Sequence, residues 1–123
     1  MEYLQMKIEL GHLPDPNLNP NKRLHWAGLY RAKRDAKQEA CLRVLEQGRP
    51  HQPLESALLE ITWVAKSKRR RDADNLFASM KPYIDGLVMA GVLVDDSADR
   101  VQYELRYERG DVDNTIINVL PSK

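Results

Sequence analysis

The stretch from Ala57 to Ala65, ALLEITWVA, constrains the fold more than any other in the chain. Leu58, Leu59, Ile61, Trp63 and Val64 place apolar groups on both faces of an extended segment. A strand of that kind belongs in the middle of a sheet, with neighbours along both edges and cover over its faces. The rest of the chain must therefore supply further strands and at least one layer of helix.

Strands are readily found. Residues 3–10, YLQMKIEL, alternate Leu4, Met6, Ile8 and Leu10 with Gln5, Lys7 and Glu9, the period of a strand with one buried face. RVQYELRYE alternates Val101, Tyr103, Leu105 and Tyr107 against Gln102, Glu104 and Arg106, and NTIINVL reads as a short strand after it. Between these two, RGDVD has the glycine and aspartates of a hairpin connection.

Two segments carry helical spacing. The first runs from about Leu24 to Gln47 and stops near Gly48, with Leu29, Ala36, Ala40, Val44 and Leu45 along one face. The second, Leu76 to Ala90, offers Leu76, Met80, Ile84, Leu87 and Val88 as its core face and Gly91 as its stop. Pro82 should kink or divide it, because a proline removes one backbone hydrogen bond. GHLPDPNLNPNK and RPHQPLES read as loops. The predicted order is β-α-β-α-β-β, an α+β domain whose mixed sheet carries two helices.

At 123 residues and 42% hydrophobic content, residues 1–123 are expected to form one domain. The formal net charge is only +1, so affinity for nucleic acid would have to come from local clustering. Clusters exist: Lys22, Arg23, Arg31, Lys33, Arg34, Lys37 and Arg43 face two acidic residues over the same span, and Lys66 to Arg71 hold five cations in six positions. Cys41 is the only cysteine, and His12, His25 and His51 lack ligand spacing, which disfavours zinc. No apolar run reaches the ~18 residues of a membrane span and no secretory signal is seen. A cytoplasmic protein is expected.

The tetrad Asp72-Ala73-Asp74-Asn75 returns as Asp111-Val112-Asp113-Asn114. Carboxylates two residues apart share a side only on extended backbone, which places Asp72 and Asp74 at a strand-to-helix junction with Asp74 as N-cap. Capping plus ion pairs to Arg69, Arg70 and Arg71 is the plain structural account. The company of the first copy points further. It follows the basic run, precedes a helix and is joined downstream by Asp95-Asp96 after the apolar GVLV. Carboxylates gathered from both segments would repel unless a cation joined them, and oxygen-only ligands select Mg²⁺ or Mn²⁺. Such an ion beside Lys66, Lys68, Arg69, Arg70 and Arg71 describes phosphodiester cleavage. The second copy lacks this company and is assigned to a turn.

RRRDADNL, DGLVMAGVLVDD and NPNKRLHW resemble the RusA family of Holliday junction resolvases, including its prophage-borne members, over roughly residues 5–120. The resemblance implies a Mg²⁺ site formed by Asp72, Asp74 and Asp96. It also implies a homodimer that nicks opposing strands of a four-way DNA junction. The family commonly has a lysine three residues after the asparagine; that position is Ala78 here, and Lys81 is the candidate replacement. Asn19, Asn21, Arg23, His25 and Trp26 match the family's N-terminal loop, where Asn21, Arg23 and Trp26 would contact DNA. Trp26 could equally anchor the first helix in the core.

Geometry adds a constraint. An unbroken helix from Asn75 to Ala90 would be about 24 Å long at ~1.5 Å per residue, whereas Val92 to Asp96 return at most ~17 Å. Either Pro82 shortens the helix or a second subunit completes the site. The rival functional classes are a non-catalytic branched-DNA-binding module, and a metal-dependent nuclease for RNA or flaps.

Overall fold

The computed structural model describes residues 6–122. In chain order its main elements are β1 (Met6–Glu9), α1 (Trp26–Gln47), β2 (Ala57–Ala65), α2 (Ala73–Ala78), α3 (Lys81–Met89), β3 (Val101–Arg109) and β4 (Asn114–Pro121). The four strands form one mixed sheet in the order β1-β4-β2-β3. This is the expected α+β architecture, although residues 3–5 of the first predicted strand lie outside the described residues.

β2 is interior, antiparallel to β4 and parallel to β3. Its alternate residues Ala57, Leu59, Ile61, Trp63 and Ala65 are buried against the helices, while Leu58, Glu60, Thr62 and Val64 are only half-covered. The helical layer therefore lies on one face of the sheet. Burial is thus one-sided where the apolar character of the strand is two-sided.

The connection after β3 corrects the hairpin expectation. β3 and β4 lie on opposite sides of β2, so residues 110–113 pass over the end of β2. The Gly110 N–H donates to the Ala65 carbonyl at 3.1 Å and the Lys66 N–H to Asp113 Oδ1 at 2.8 Å. These bonds satisfy backbone groups at the end of β2 that the ladder leaves open. The Asp111/Asp113 copy thus serves a turn, but the turn is a crossing.

Pro82 divides the second predicted helix, sitting in the first turn of α3, where its missing N–H costs nothing. Met80, Tyr83, Ile84 and Leu87 are buried, and Leu76 and Val88 pack partly against them. Gly91, at φ +84°, ends α3 with the Val92 N–H returned to the Leu87 carbonyl.

On α1 the core stripe is Ala32, Ala36, Ala40 and Val44. Leu29 is half-buried and Leu45 is exposed, contrary to the predicted face, because the alanines allow close approach. At Gly86 of α3 an added Cβ would lie 2.4 Å from the Lys37 carbonyl oxygen and 2.8 Å from Ala40 Cβ. α1 and α3 thus touch backbone to backbone.

The proline-rich loop before α1 is pinned to this pair of helices and to β4. The Asp15 N–H donates to the Tyr83 hydroxyl at 3.0 Å, Thr115 Oγ1 donates to the His12 carbonyl, and His12 Nε2 meets Glu39 at 2.6 Å. Among the described residues no helix is long and apolar enough to cross a membrane.

Candidate active site and nucleic-acid interface

α2 separates two acidic groups. At its start, Asp72 is the N-cap residue, with extended backbone at φ −92° and ψ 130°, but its carboxylate caps nothing. It forms an ion pair instead, with Oδ1 3.2 Å from Arg70 Nη2. Asp74 lies in the first turn, where its Oδ1 accepts the Asn75 N–H at 3.0 Å. The expectation that Asp74 caps the helix is corrected by two residues: extended backbone ends at Asp72, so the helix begins at Ala73.

Beyond the other end of α2, Lys81 bridges two carboxylates. Its Nζ donates to Asp85 Oδ1 at 2.8 Å and to Asp96 Oδ2. The hydrogen bond from Lys81 holds the Asp96 carboxyl below the ordinary carboxylate range, and the bonds to Asp85 and Asp96 hold the Lys81 ammonium above the ordinary lysine range. The Asp96 N–H is taken by Asp95 Oδ1 at 2.8 Å. Asp85 was not singled out from the sequence, although its i,i+4 spacing from Lys81 is the usual signal for such a pair.

Asp72, Asp74 and Asp96 all offer hard carboxylate oxygens, the donor chemistry of Mg²⁺ or Mn²⁺. Asp72 and Asp74 stand at the start of α2 and Asp96 stands on Lys81 beyond its other end. Among the described residues no three of His, Cys, Asp and Glu are gathered to hold a metal ion. Breaking the helix at Pro82 does not by itself bring Asp96 into company with both aspartates of the tetrad.

The basic run forms a loop beside Asp72. Lys66, Lys68, Arg69 and Arg70 are exposed. Arg71 is fastened, with Nη1 donating to the Arg69 carbonyl at 3.2 Å and to the Tyr107 hydroxyl at 3.1 Å. Arg69, Arg70, Arg71, Asp72 and Asn75 share a cleft of about 600 Å³ with Asn19 and Asn21 of the N-terminal loop. A larger groove of about 1000 Å³ adjoins it through Asn19 and runs between α1 and α3. Lys33, Arg34 and Lys37 line it from α1, and Lys81 and Asp85 from α3. Arg23 and Trp26 line neither. Trp26 is 75% exposed, which removes the core-anchor alternative; His25 caps α1 through Nδ1 and packs beside it.

The chain matches no protein-family model and no curated protein.

Proposed function

We propose that this chain is a metal-dependent, structure-selective endodeoxyribonuclease that acts on four-way or other branched DNA. The observation that carries the reading is the shared cleft of Arg69, Arg70, Arg71, Asp72, Asn75 and Asn21, which has Asn19 in common with the cation-lined groove that includes Lys81. Positive charge lies there beside the Asp72 carboxylate, an arrangement that suits a sugar-phosphate strand. The strings that resemble RusA resolvases are the second support, and with them come a homodimer and a bacterial or phage cytoplasm.

In this reading Asp72, Asp74 and Asp96 would hold Mg²⁺ or Mn²⁺, gathered in the homodimer rather than within one chain. When bound, such an ion would acidify a water and offset negative charge on the phosphate. Arg70, whose side chain is 91% exposed, reaches the backbone of the DNA. Arg71 is fixed by Tyr107 and orients the loop. Lys81 stays protonated and offers a donor to a phosphate oxygen, while Asn21 and Arg23 position the strand without reading its sequence.

The test is cutting of synthetic four-way junctions, duplex, flap and RNA substrates with and without Mg²⁺ or Mn²⁺. Asp72→Asn, Asp74→Asn and Asp96→Asn should each reduce junction cutting by more than ~100-fold, beyond the 10–100-fold typical of groups that only support a ligand. Junction binding should be kept or strengthened, since each change removes negative charge facing phosphate. One observation favours a second reading: the Arg70–Asp72 ion pair suits an aspartate that merely orders a phosphate-binding arginine. Tight junction binding with no metal-dependent cutting would support that DNA-binding module and refute the nuclease.

A further inference from the structure

α1 carries a row of exposed side chains that the core does not use. Trp26, Tyr30, Lys33 and Lys37 follow one another at steps of four, three and four residues, so they lie along one side of the helix. Trp26 is 75% and Tyr30 64% exposed, and both lysines are exposed. Among the described residues neither lysine has an ion-pair partner. The row runs into the groove between α1 and α3, where Tyr30, Lys33 and Lys37 are joined by the side-chain amides of Asn19 and Gln38. The one carboxylate among the lining residues, Asp85, is already matched by Lys81 at 2.8 Å.

We propose that this face of α1 and the groove beside it hold an unpaired DNA strand. Cations alone would serve a duplex equally well, since a duplex carries its phosphates on the outside. Exposed rings add to binding only where bases have left the stack, because a base within a duplex already has both faces covered. Amide side chains in turn match base edges that have lost their pairing partner.

Two other occupants fit less well. A helix lying on a lipid surface needs a broad apolar face, and on α1 the apolar residues Ala32, Ala36, Ala40 and Val44 are already buried in the core. An acidic peptide would match the lysines, but it gives no reason for a second ring outside the groove, one helical turn or ~6 Å before Tyr30. The next base along a strand does. The same groove includes Lys81, which is bonded to Asp96, so a strand held there ends beside acidic residues of the candidate site. On the nuclease reading, on which this step rests, the favoured substrates are branched DNAs with a gap or a single-stranded arm at the branch.

Strand binding is tested without any divalent ion. The chain has two tryptophans and Trp63 is buried, at 1% exposure, so quenching by acrylamide reads Trp26. An oligothymidylate of ~12 nucleotides should quench the fluorescence of the wild-type chain and shield it from acrylamide. Tyr30→Ala should weaken binding of that strand by ~10-fold or more and binding of a hairpin duplex far less, while Tyr30→Phe should restore it. Lys33→Gln and Lys37→Gln should each lower the slope of log affinity against log salt by ~0.7. A Trp26 that does not respond to saturating strand, wild-type affinity in Tyr30→Ala, or an equal loss on duplex would overturn the proposal. So would an oligoglutamate peptide that shields Trp26 where the DNA strand does not, which would assign the face to a protein partner.

The substrate preference is tested by cutting. With Mg²⁺, junctions that carry a single-stranded gap at the branch should be cut faster than fully paired ones, and Tyr30→Ala should erase the difference. Equal cutting of the two by the wild-type chain would overturn the preference. Strand binding with no cutting of either would sink the nuclease reading and leave the strand track standing.

Discussion

Gly86→Ala should destabilise the fold, although alanine is the better helix former. A methyl group at position 86 would stand 2.4 Å from the Lys37 carbonyl oxygen, so α1 and α3 must part by about 1 Å to reach an ordinary 3.4 Å contact. The obstacle is backbone near the middle of a 22-residue helix, and it cannot rotate away. Overpacking costs about 1–3 kcal/mol, and a rigid neighbour puts this case at the upper end, about 3 kcal/mol. The gain in helix propensity offsets about 1 kcal/mol. A net loss of about 2 kcal/mol remains, which for a chain of this size lowers Tm by roughly 8 °C. Gly28 is the internal control. It lies in α1 with nothing within 4 Å of an added Cβ, so Gly28→Ala should stabilise by about 0.5 kcal/mol. Urea unfolding followed by far-UV circular dichroism gives both values, with unchanged m. If Gly86→Ala fell within 0.5 kcal/mol of wild type, or moved the same way as Gly28→Ala, the close helix crossing would be wrong.

Two further outcomes follow from the loop contacts and the basic run. His12 is raised above its ordinary value: burial works against protonation, but the Leu13 carbonyl and Glu39 outweigh it. Its contribution to stability is therefore full below pH 6.5 and is lost as pH rises through the folded-state value. Stability should fall from pH 6 to pH 8 in wild type more than in His12→Gln, and a histidine NMR titration should place the His12 midpoint above 6.5. Arg70→Ala should weaken junction binding about uniformly across DNA sequences and reduce the slope of log affinity against log salt by about one. An unchanged slope would remove Arg70 from the interface.

Much of this architecture is written in local pattern. The apolar density of ALLEITWVA marks β2 as interior, Gly91 ends α3 at a positive φ, and Pro82 splits the second helix. What the pattern does not hold is which edge each strand takes. RGDVD has the composition of a hairpin, yet its Gly110 and Asp113 bond Ala65 and Lys66 at the end of β2, and composition carries no record of that third strand. The predicted face of α1 fails at Leu45, which is exposed, for a related reason. Close contact with Gly86 selects alanines over leucines, and that contact depends on a residue 46 positions after Ala40. At the candidate site the tetrad and the basic run were visible as strings. The Lys81–Asp85 pair is local to α3, but the joining of Asp96 to Lys81 and the cations of α1 that share a groove with Lys81 and Asp85 exist only in the folded chain.

The position of β4 sets the order in which this sheet can be completed. β1 has one strand neighbour, and it is β4: Met6 sits opposite Val119. The opening strand therefore has nothing to pair with until residues near the far end of the chain have been made and have slotted between it and β2. Such distant contacts carry a large loop-closure cost and slow folding. A chain shortened ahead of residue 114 would thus lose both of the ladders that β4 makes and leave its first strand held only by its core side chains and the Gln47 bond to Lys7.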